Sequence, residues 1–121
     1  EMVASEISES VAIMRGLMAS GMDVTLLTNF AADTFREAQV MYPFLTETRG
    51  VTVSGEVKVL KPDSQIYRIH SEGFSLDPAR TLFIDDSAAN VEGAKAFGWQ
   101  AVLFEGPKKL RRDLSAFGLA F

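Results

Sequence analysis

The stretch Thr81-Leu82-Phe83-Ile84-Asp85-Asp86-Ser87 decides how the rest of the chain is read. A short, β-rich apolar run ends in two adjacent carboxylates, and a helix-like segment from Ala88 follows at once. In an open parallel sheet, ligands bind just outside the carboxyl ends of the strands. Asp85 and Asp86 therefore stand where chemistry is placed, and two buried, unpaired carboxylates there would be costly. A divalent cation relieves that cost, because Mg²⁺ takes one or two carboxylates and fills its other positions with water and phosphate oxygens. The bland alternative is a helix N-terminus: Asp and Ser are favoured caps, and a carboxylate there complements the helix dipole. Asp86 or Ser87 would then simply cap the helix, and the remaining motifs have to decide.

Outward from that stretch, strand-like and helix-like segments alternate. Ile7, Val11, Met14 and Met18 recur at helical spacing, which predicts a helix over 6–19 closed by Ser20-Gly21. Residues 23–28 form a nearly continuous apolar run of strand length. Asp33 is placed to cap a helix carrying Phe35, Ala38 and Tyr42, which Pro43 stops. Val51 and Val53 alternate with polar residues, and after a turn at Ser54-Gly55 the pattern stays β-like to Leu60. Asp63 caps a helix with Ile66 and Ile69 on one face, and Leu76-Asp77-Pro78 is a loop leading to a strand at 81–84. The next helix carries Val91 and Ala94 inward and ends at Gly98. A buried strand at 100–104 follows, then a helix opened by Gly106-Pro107 with Leu110, Leu114 and Phe117 on its apolar face. Such alternation predicts parallel βαβ units with helices on both sheet faces, a doubly wound α/β class, in a single domain over 1–121.

Composition narrows the partners. At 121 residues, 47% hydrophobic and 23% charged, the chain has the make-up of an ordinary globular domain. A net charge of −4 argues against nucleic acid, which wants a basic face. The absence of cysteine removes disulfides, thiolate metal sites and thiol catalysis, and is compatible with a reducing cytoplasm. No apolar run reaches the length of a membrane span. His70, the sole histidine, has no partner spaced for catalysis and reads as structural. Trp99 reads as a packing residue, Met14, Met18 and Met22 as core filler, and Lys108, Lys109, Arg111 and Arg112 as the solvated face of the last helix.

Three places stand at or just beyond a predicted strand end: Thr28-Asn29, Lys61 and Asp85-Asp86. Together they offer a hydroxyl donor, a fixed cation and a carboxylate pair suited to Mg²⁺, a set that can hold and neutralise a phosphoryl group. Taken in order, Leu-Leu-Thr28-Asn29-Phe30, Val-Ser-Gly-Glu-Val-Lys-Val-Leu-Lys61-Pro62-Asp63 and Leu-Phe-Ile-Asp85-Asp86-Ser87-Ala-Ala-Asn90 resemble the haloacid dehalogenase (HAD) superfamily. Within it the similarity is to the small-molecule phosphatase and dehalogenase branch with a helical cap between the first two motifs. The resemblance implies that Thr28 hydrogen-bonds phosphoryl oxygens with help from the Asn29 amide, and that Lys61 offsets the negative charge of nucleophile and phosphate. It further implies that Asp86 binds Mg²⁺, with Asp85 as an outer partner behind the direct ligands or one acting through water. Ser87 is a supporting residue, and Asn90, where many relatives carry an acid, orients groups.

One family motif is missing. The superfamily's first motif is Asp-x-Asp on the central strand, whose first Asp forms an aspartyl-phosphate, and this chain contains no Asp-x-Asp. Asp23 lies at the wrong end of its strand to serve. In the family the absent strand lies between those at 23–28 and 81–84, so two inner strand edges are expected to face an empty slot with their backbone N–H and C=O groups unpaired. The expectation is therefore the C-terminal part of a longer enzyme, inactive by itself, with the helix at 6–19 leading back from the cap. The nucleophile would come from a preceding segment of the same protein, and the open sheet edge offers the alternative of self-association.

The leading reading is a cytoplasmic, Mg²⁺-dependent hydrolase of a small-molecule phosphate ester. A haloacid dehalogenase is the alternative enzyme; that reaction needs no metal, so the acid pair counts against it. A response-regulator receiver is rejected on motif order, because Thr28 and Lys61 precede the acid pair. A non-catalytic binding module of the same fold remains, and an Asp-x-Asp encoded upstream would discriminate against it.

Overall fold

The short apolar runs pair as two separate ribbons of parallel strands. β1 (Leu26–Thr28) lies beside β2 (Val51–Val53), with Leu26 opposite Val51 and Thr28 opposite Val53. β3 (Leu82–Asp85) lies beside β4 (Gln100–Leu103), with Leu82 opposite Gln100 and Asp85 opposite Leu103. The computed structural model describes residues 4–119, with side chains from residue 9 onward, and among these residues no ladder joins β1 to β3. This is a parallel α/β fold incomplete at its centre, as the sequence predicts.

Helices alternate with the strands. In chain order they are α1 (Ala4–Ala19), α2 (Ala32–Met41), the single turn α3 (Ser54–Val57), α4 (Ser64–Gly73), α5 (Ala88–Phe97) and α6 (Pro107–Ala116). Alternation along β3 sends successive side chains to opposite faces. Phe83 joins Ile66, Tyr67, Val91, Ala94, Trp99 and Ala101 under α4 and α5. Leu82 and Ile84 pack against Ile13, Leu17, Leu110 and Leu114 from α1 and α6. Helices thus cover both faces, and the strand exits are left as the open end.

Several local expectations are corrected by tertiary contacts. The segment after β2 turns into α3 instead of staying extended. Ser54 Oγ accepts from the Phe30 N–H (2.9 Å) and donates to the Phe30 carbonyl (3.2 Å). Gly55 then approaches so closely that a Cβ there would stand 2.6 Å from the Ala32 nitrogen. β1 begins at Leu26, not at residue 23, because among the described residues its ladder is to the three-residue β2, and the Arg49 guanidinium forks Asp23 at 2.7 and 2.8 Å. Asp33 does not cap α2; Ala31 occupies that place without a side-chain bond, and Asp33 sits in the first turn.

Helix faces are rotated from the expected ones. In α1 the buried residues are Ile13 and Leu17, while Val11, Met14 and Met18 are half-buried; the side chain of Ile7 lies outside the described residues. In α4 the buried face is Ile66, Tyr67 and His70, with Ile69 half-buried. Met22, Tyr42 and Phe117 are exposed, not buried. Asp63 does cap α4, accepting from the Gln65 N–H at 2.9 Å, and Gly98 closes α5 with φ +118°.

Candidate functional site

The site is assembled where β1 and β3 end, with Lys61 between them. Its ammonium donates to Asp85 Oδ2 at 2.7 Å and to the Leu27 carbonyl at 3.1 Å. Both side chains of the ion pair are largely buried, 10% exposed for Lys61 and 7% for Asp85. The Phe83 ring lies beneath the ammonium, 5.5 Å from centroid to Nζ.

Asp85 is held from three directions. Besides Lys61, the Ser87 N–H donates to Oδ1 at 2.8 Å and the Asn90 amide donates to Oδ2 at 3.3 Å. Burial by itself pushes the Asp85 carboxyl up. The Lys61 hydrogen bond, the Ser87 N–H, the Lys61 charge and the Asn90 amide outweigh it and hold the group below the ordinary aspartate value. Asp85 is therefore an ionised partner for Lys61, with both oxygens engaged. Ser87 caps α5, its Oγ accepting from the Asn90 N–H at 3.4 Å.

Asn29 faces Lys61 through its main chain. Its Oδ1 accepts from the Lys61 N–H at 2.9 Å, and its Nδ2 donates to the Lys61 carbonyl at 3.2 Å. The structure thus joins Asn29, Lys61, Asp85, Ser87 and Asn90 by direct bonds. Thr28 and Asp86 stand at the same strand ends with side chains that make no hydrogen bond or ion pair among the described residues; Asp86 is exposed and Thr28 half-buried. An exposed, unpartnered carboxylate beside a fixed cation and an unpartnered hydroxyl is a donor set that fits one edge of a hydrated Mg²⁺ carrying a phosphate.

Sequence reasoning missed two contributors. Tyr67, fully buried, donates its hydroxyl to the Asn90 carbonyl at 2.8 Å and so ties α4 to the first turn of α5. Burial, and then the nearby Asp85 charge, push its phenol up to about 12, so it stays a donor. The i,i+3 pair Tyr67 and His70 was the available signal for that buried face. Gly93 is the second contributor: a Cβ there would stand 2.8 Å from Pro62 Cβ and 3.1 Å from the Tyr67 hydroxyl, so glycine lets α5 reach the Lys61-Pro62 turn. Beside the site, a depression of about 350 Å³ is lined by Asn29, Phe30, Ala31, Lys58, Val59 and Leu60.

His70 lies away from this end. Its Nδ1 is 2.7 Å from Thr52 Oγ1 and its Nε2 is 2.8 Å from Thr25 Oγ1, a structural position as the sequence predicts. Lys109 of the basic cluster pairs with Asp113 at 2.7 Å and donates to the Leu103 carbonyl at 3.0 Å.

Comparison with known proteins agrees with this architecture. The HAD-hydrolase-like family model matches residues 59–119, just over half of the chain. The chain is 28% identical over 95 residues to (S)-2-haloacid dehalogenase 1 of Pseudomonas sp. (strain CBS-3), covering 78% of this chain and 41% of that protein. It is 30% identical over 95 residues to the phosphoserine phosphatase of Thermus thermophilus, covering 78% and 38%. The chain thus spans about two fifths of the length of these relatives. The crystal structure of the HAD family enzyme bt-2542 from Bacteroides thetaiotaomicron, in complex with magnesium and inorganic phosphate, superposes with a TM-score of 0.68 at 23% identity, covering 84% of this chain and 52% of that one. No helix among the described residues is long and apolar enough to cross a membrane. With its motif order, its parallel α/β architecture and the family match in agreement, the chain belongs to the HAD-like hydrolases.

Proposed function

We propose that this chain is the phosphoryl-binding part of a Mg²⁺-dependent hydrolase of small-molecule phosphate monoesters, forming one HAD-like core domain over 1–121. The observation that carries the reading is the buried Lys61–Asp85 pair flanked by two unpartnered groups, the Thr28 hydroxyl and the Asp86 carboxylate. Lys61 supplies fixed positive charge where a phosphoryl group gathers negative charge. Thr28 donates to a phosphoryl oxygen. Asp86 would hold the metal, which when bound neutralises the phosphate and orients it for in-line attack. Asp85 holds the Lys61 ammonium in place, and Ser87 and Asn90 keep Asp85 in place.

The nucleophile belongs to a segment outside these 121 residues, seated on a strand between β1 and β3. Its carboxylate forms the bond to phosphorus as the ester oxygen leaves and takes a proton; water then releases inorganic phosphate. The apolar depression beside Asn29 and Phe30 would receive part of the leaving group. The compartment proposed is the cytoplasm, in keeping with a chain free of cysteine.

A second reading, hydrolysis of a 2-haloacid, is favoured by the Pseudomonas relative. The two separate on the complete gene product, assayed for phosphate release from a monoester panel with and without a chelator and for halide release from 2-haloacids. The expected result is phosphate release that the chelator abolishes and that Asp86→Ala lowers by more than about 100-fold, a typical size for loss of a group stabilising transition-state charge. Halide release that is indifferent to the chelator, with no phosphate release, would overturn the proposal.

A further inference from the structure

We infer that Asn29 is a positioning residue, setting the place of the Lys61 ammonium by clamping the Lys61 main chain, and is not itself a ligand for the phosphoryl group. An amide side chain offers an oxygen that accepts and a nitrogen that donates. Both functions of Asn29 are turned on one residue: Oδ1 takes the Lys61 N–H at 2.9 Å and Nδ2 reaches the Lys61 carbonyl at 3.2 Å. That is the bonding a neighbouring strand would supply, delivered by a side chain 32 residues away in sequence.

The Lys61 side chain then folds back onto the strand that carries Asn29. Its Nζ donates to the carbonyl of Leu27, two residues earlier, at 3.1 Å. The Asn29 side chain, the Lys61 backbone, the Lys61 side chain and the end of β1 therefore form one closed ring of bonds. The ammonium's other bond leaves the ring toward Asp85, across to β3. With the main chain of Lys61 held at both polar groups, the long side chain has little freedom left but to point at Asp85 and Leu27. Without the clamp, the Lys61 turn is tied to β1 by the side chain alone, and a lysine side chain has much rotamer entropy to regain.

The test reads the ammonium directly and needs no activity. Acetylation of the complete gene product with a water-soluble active ester, followed by peptide mass spectrometry, gives a rate for each lysine. Lys58, which is exposed, serves as the internal reference. Lys61 is expected to react slowly in the parent chain. In Asn29→Ala it should react about tenfold faster relative to Lys58, the scale set by one or two net hydrogen bonds. Asn29→Asp keeps an acceptor for the Lys61 N–H and loses the donor, so it should give a smaller, still selective rise. An unchanged Lys61 rate in a folded Asn29→Ala chain refutes the inference. So does equal acceleration of all lysines in both variants, which would make Asn29 a general stabiliser.

A kinetic arm rests on the phosphatase reading. In the complete enzyme, Asn29→Ala should lower kcat and leave KM within about twofold, because Lys61 acts on developing charge. A raised KM with unchanged kcat would instead make Asn29 a direct substrate contact and overturn the inference. A complete enzyme that hydrolyses no phosphate ester sinks the phosphatase reading, while the acetylation result still decides the role of Asn29.

Discussion

His70 makes the stability of this chain depend on pH over a window that can be stated in advance. The imidazole is 3% exposed, enclosed by Thr25, Thr52 and the Phe74 ring, whose centroid lies 4.7 Å from its own. Burial, and then the charge of Arg49, push it down to about 4, and Asp23 opposes them weakly. Arg49 is held in place by its fork to Asp23 and lies over Phe74, 5.0 Å from the ring centroid. The threonine hydroxyls can accept from either ring nitrogen, so charging the ring is opposed by desolvation and by Arg49, not by loss of hydrogen bonds. Between pH 6.5 and about 4 the unfolded chain binds a proton that the folded chain refuses, and stability therefore falls as pH is lowered. The contribution is complete above pH 6.5. The displacement from 6.5 to about 4 corresponds to about 3 kcal/mol, of which about 2 kcal/mol is lost between pH 7.5 and 5. That is a large share of the 5–15 kcal/mol of a typical domain.

The assay is urea unfolding at pH 7.5 and 5, in the parent chain and in His70→Gln. The parent should lose about 2 kcal/mol more than the variant over that interval, the difference isolating His70 from the carboxylates. Because the chain has a single histidine, its imidazole resonances can be followed without assignment ambiguity. A midpoint near 6.5 by NMR, or parallel pH dependences in parent and variant, would refute the reasoning. Asp85 acts in the same direction but in a lower window: its depressed carboxyl stabilises above about pH 3.8 and that contribution is lost as the pH falls further.

Two substitutions test the packing of the site. Asp85→Asn leaves the Lys61 ammonium buried beside a neutral amide and should cost about 3–5 kcal/mol in urea unfolding at pH 7, the range for breaking a buried pair on one side. A loss under about 1 kcal/mol would mean that water reaches Lys61 freely. Tyr67→Phe removes the donor to the Asn90 carbonyl at 2.8 Å without changing the ring, and should cost about 1 kcal/mol. A neutral effect would show that the bond does not tie α4 to α5.

What was legible in the sequence was what local chemistry controls. Apolar runs ending in Thr28-Asn29 and Asp85-Asp86 marked the strand exits, and Asp63, Ser87 and Gly98 ended or began helices as their side chains dictate. What escaped depended on residues far apart in the chain. The turn of α3 is set by Ser54 and Gly55 against Phe30, 24 residues earlier. The roles of Asn29 and Tyr67 exist only through Lys61 and Asn90, 32 and 23 residues distant. The division of labour between the two carboxylates was also hidden. As neighbours at the end of one strand they look equivalent, yet Asp85, the last residue of β3, turns inward to Lys61, while Asp86 lies in the bend beyond the strand and is exposed.

Alternation of the main-chain polar groups between the two edges of β1 explains how two ribbons with no ladder between them, among the described residues, keep a common site. The Leu26 N–H bonds the Gly50 carbonyl, so Leu26 faces β2 and the polar groups of Leu27 face the opposite edge, toward β3. An unpaired carbonyl on such an edge is costly when shielded from water and an invitation to strand addition when it is not. Lys61 meets the Leu27 carbonyl with one N–H and carries another to Asp85 at the end of β3. One lysine thus satisfies the open edge of β1, neutralises the buried carboxylate of β3 and fixes the distance between them. All three demands are structural, and they hold Lys61 in place with a positive charge already directed at the strand ends, which is the preorganisation that the proposed stabilisation of a phosphoryl group would require.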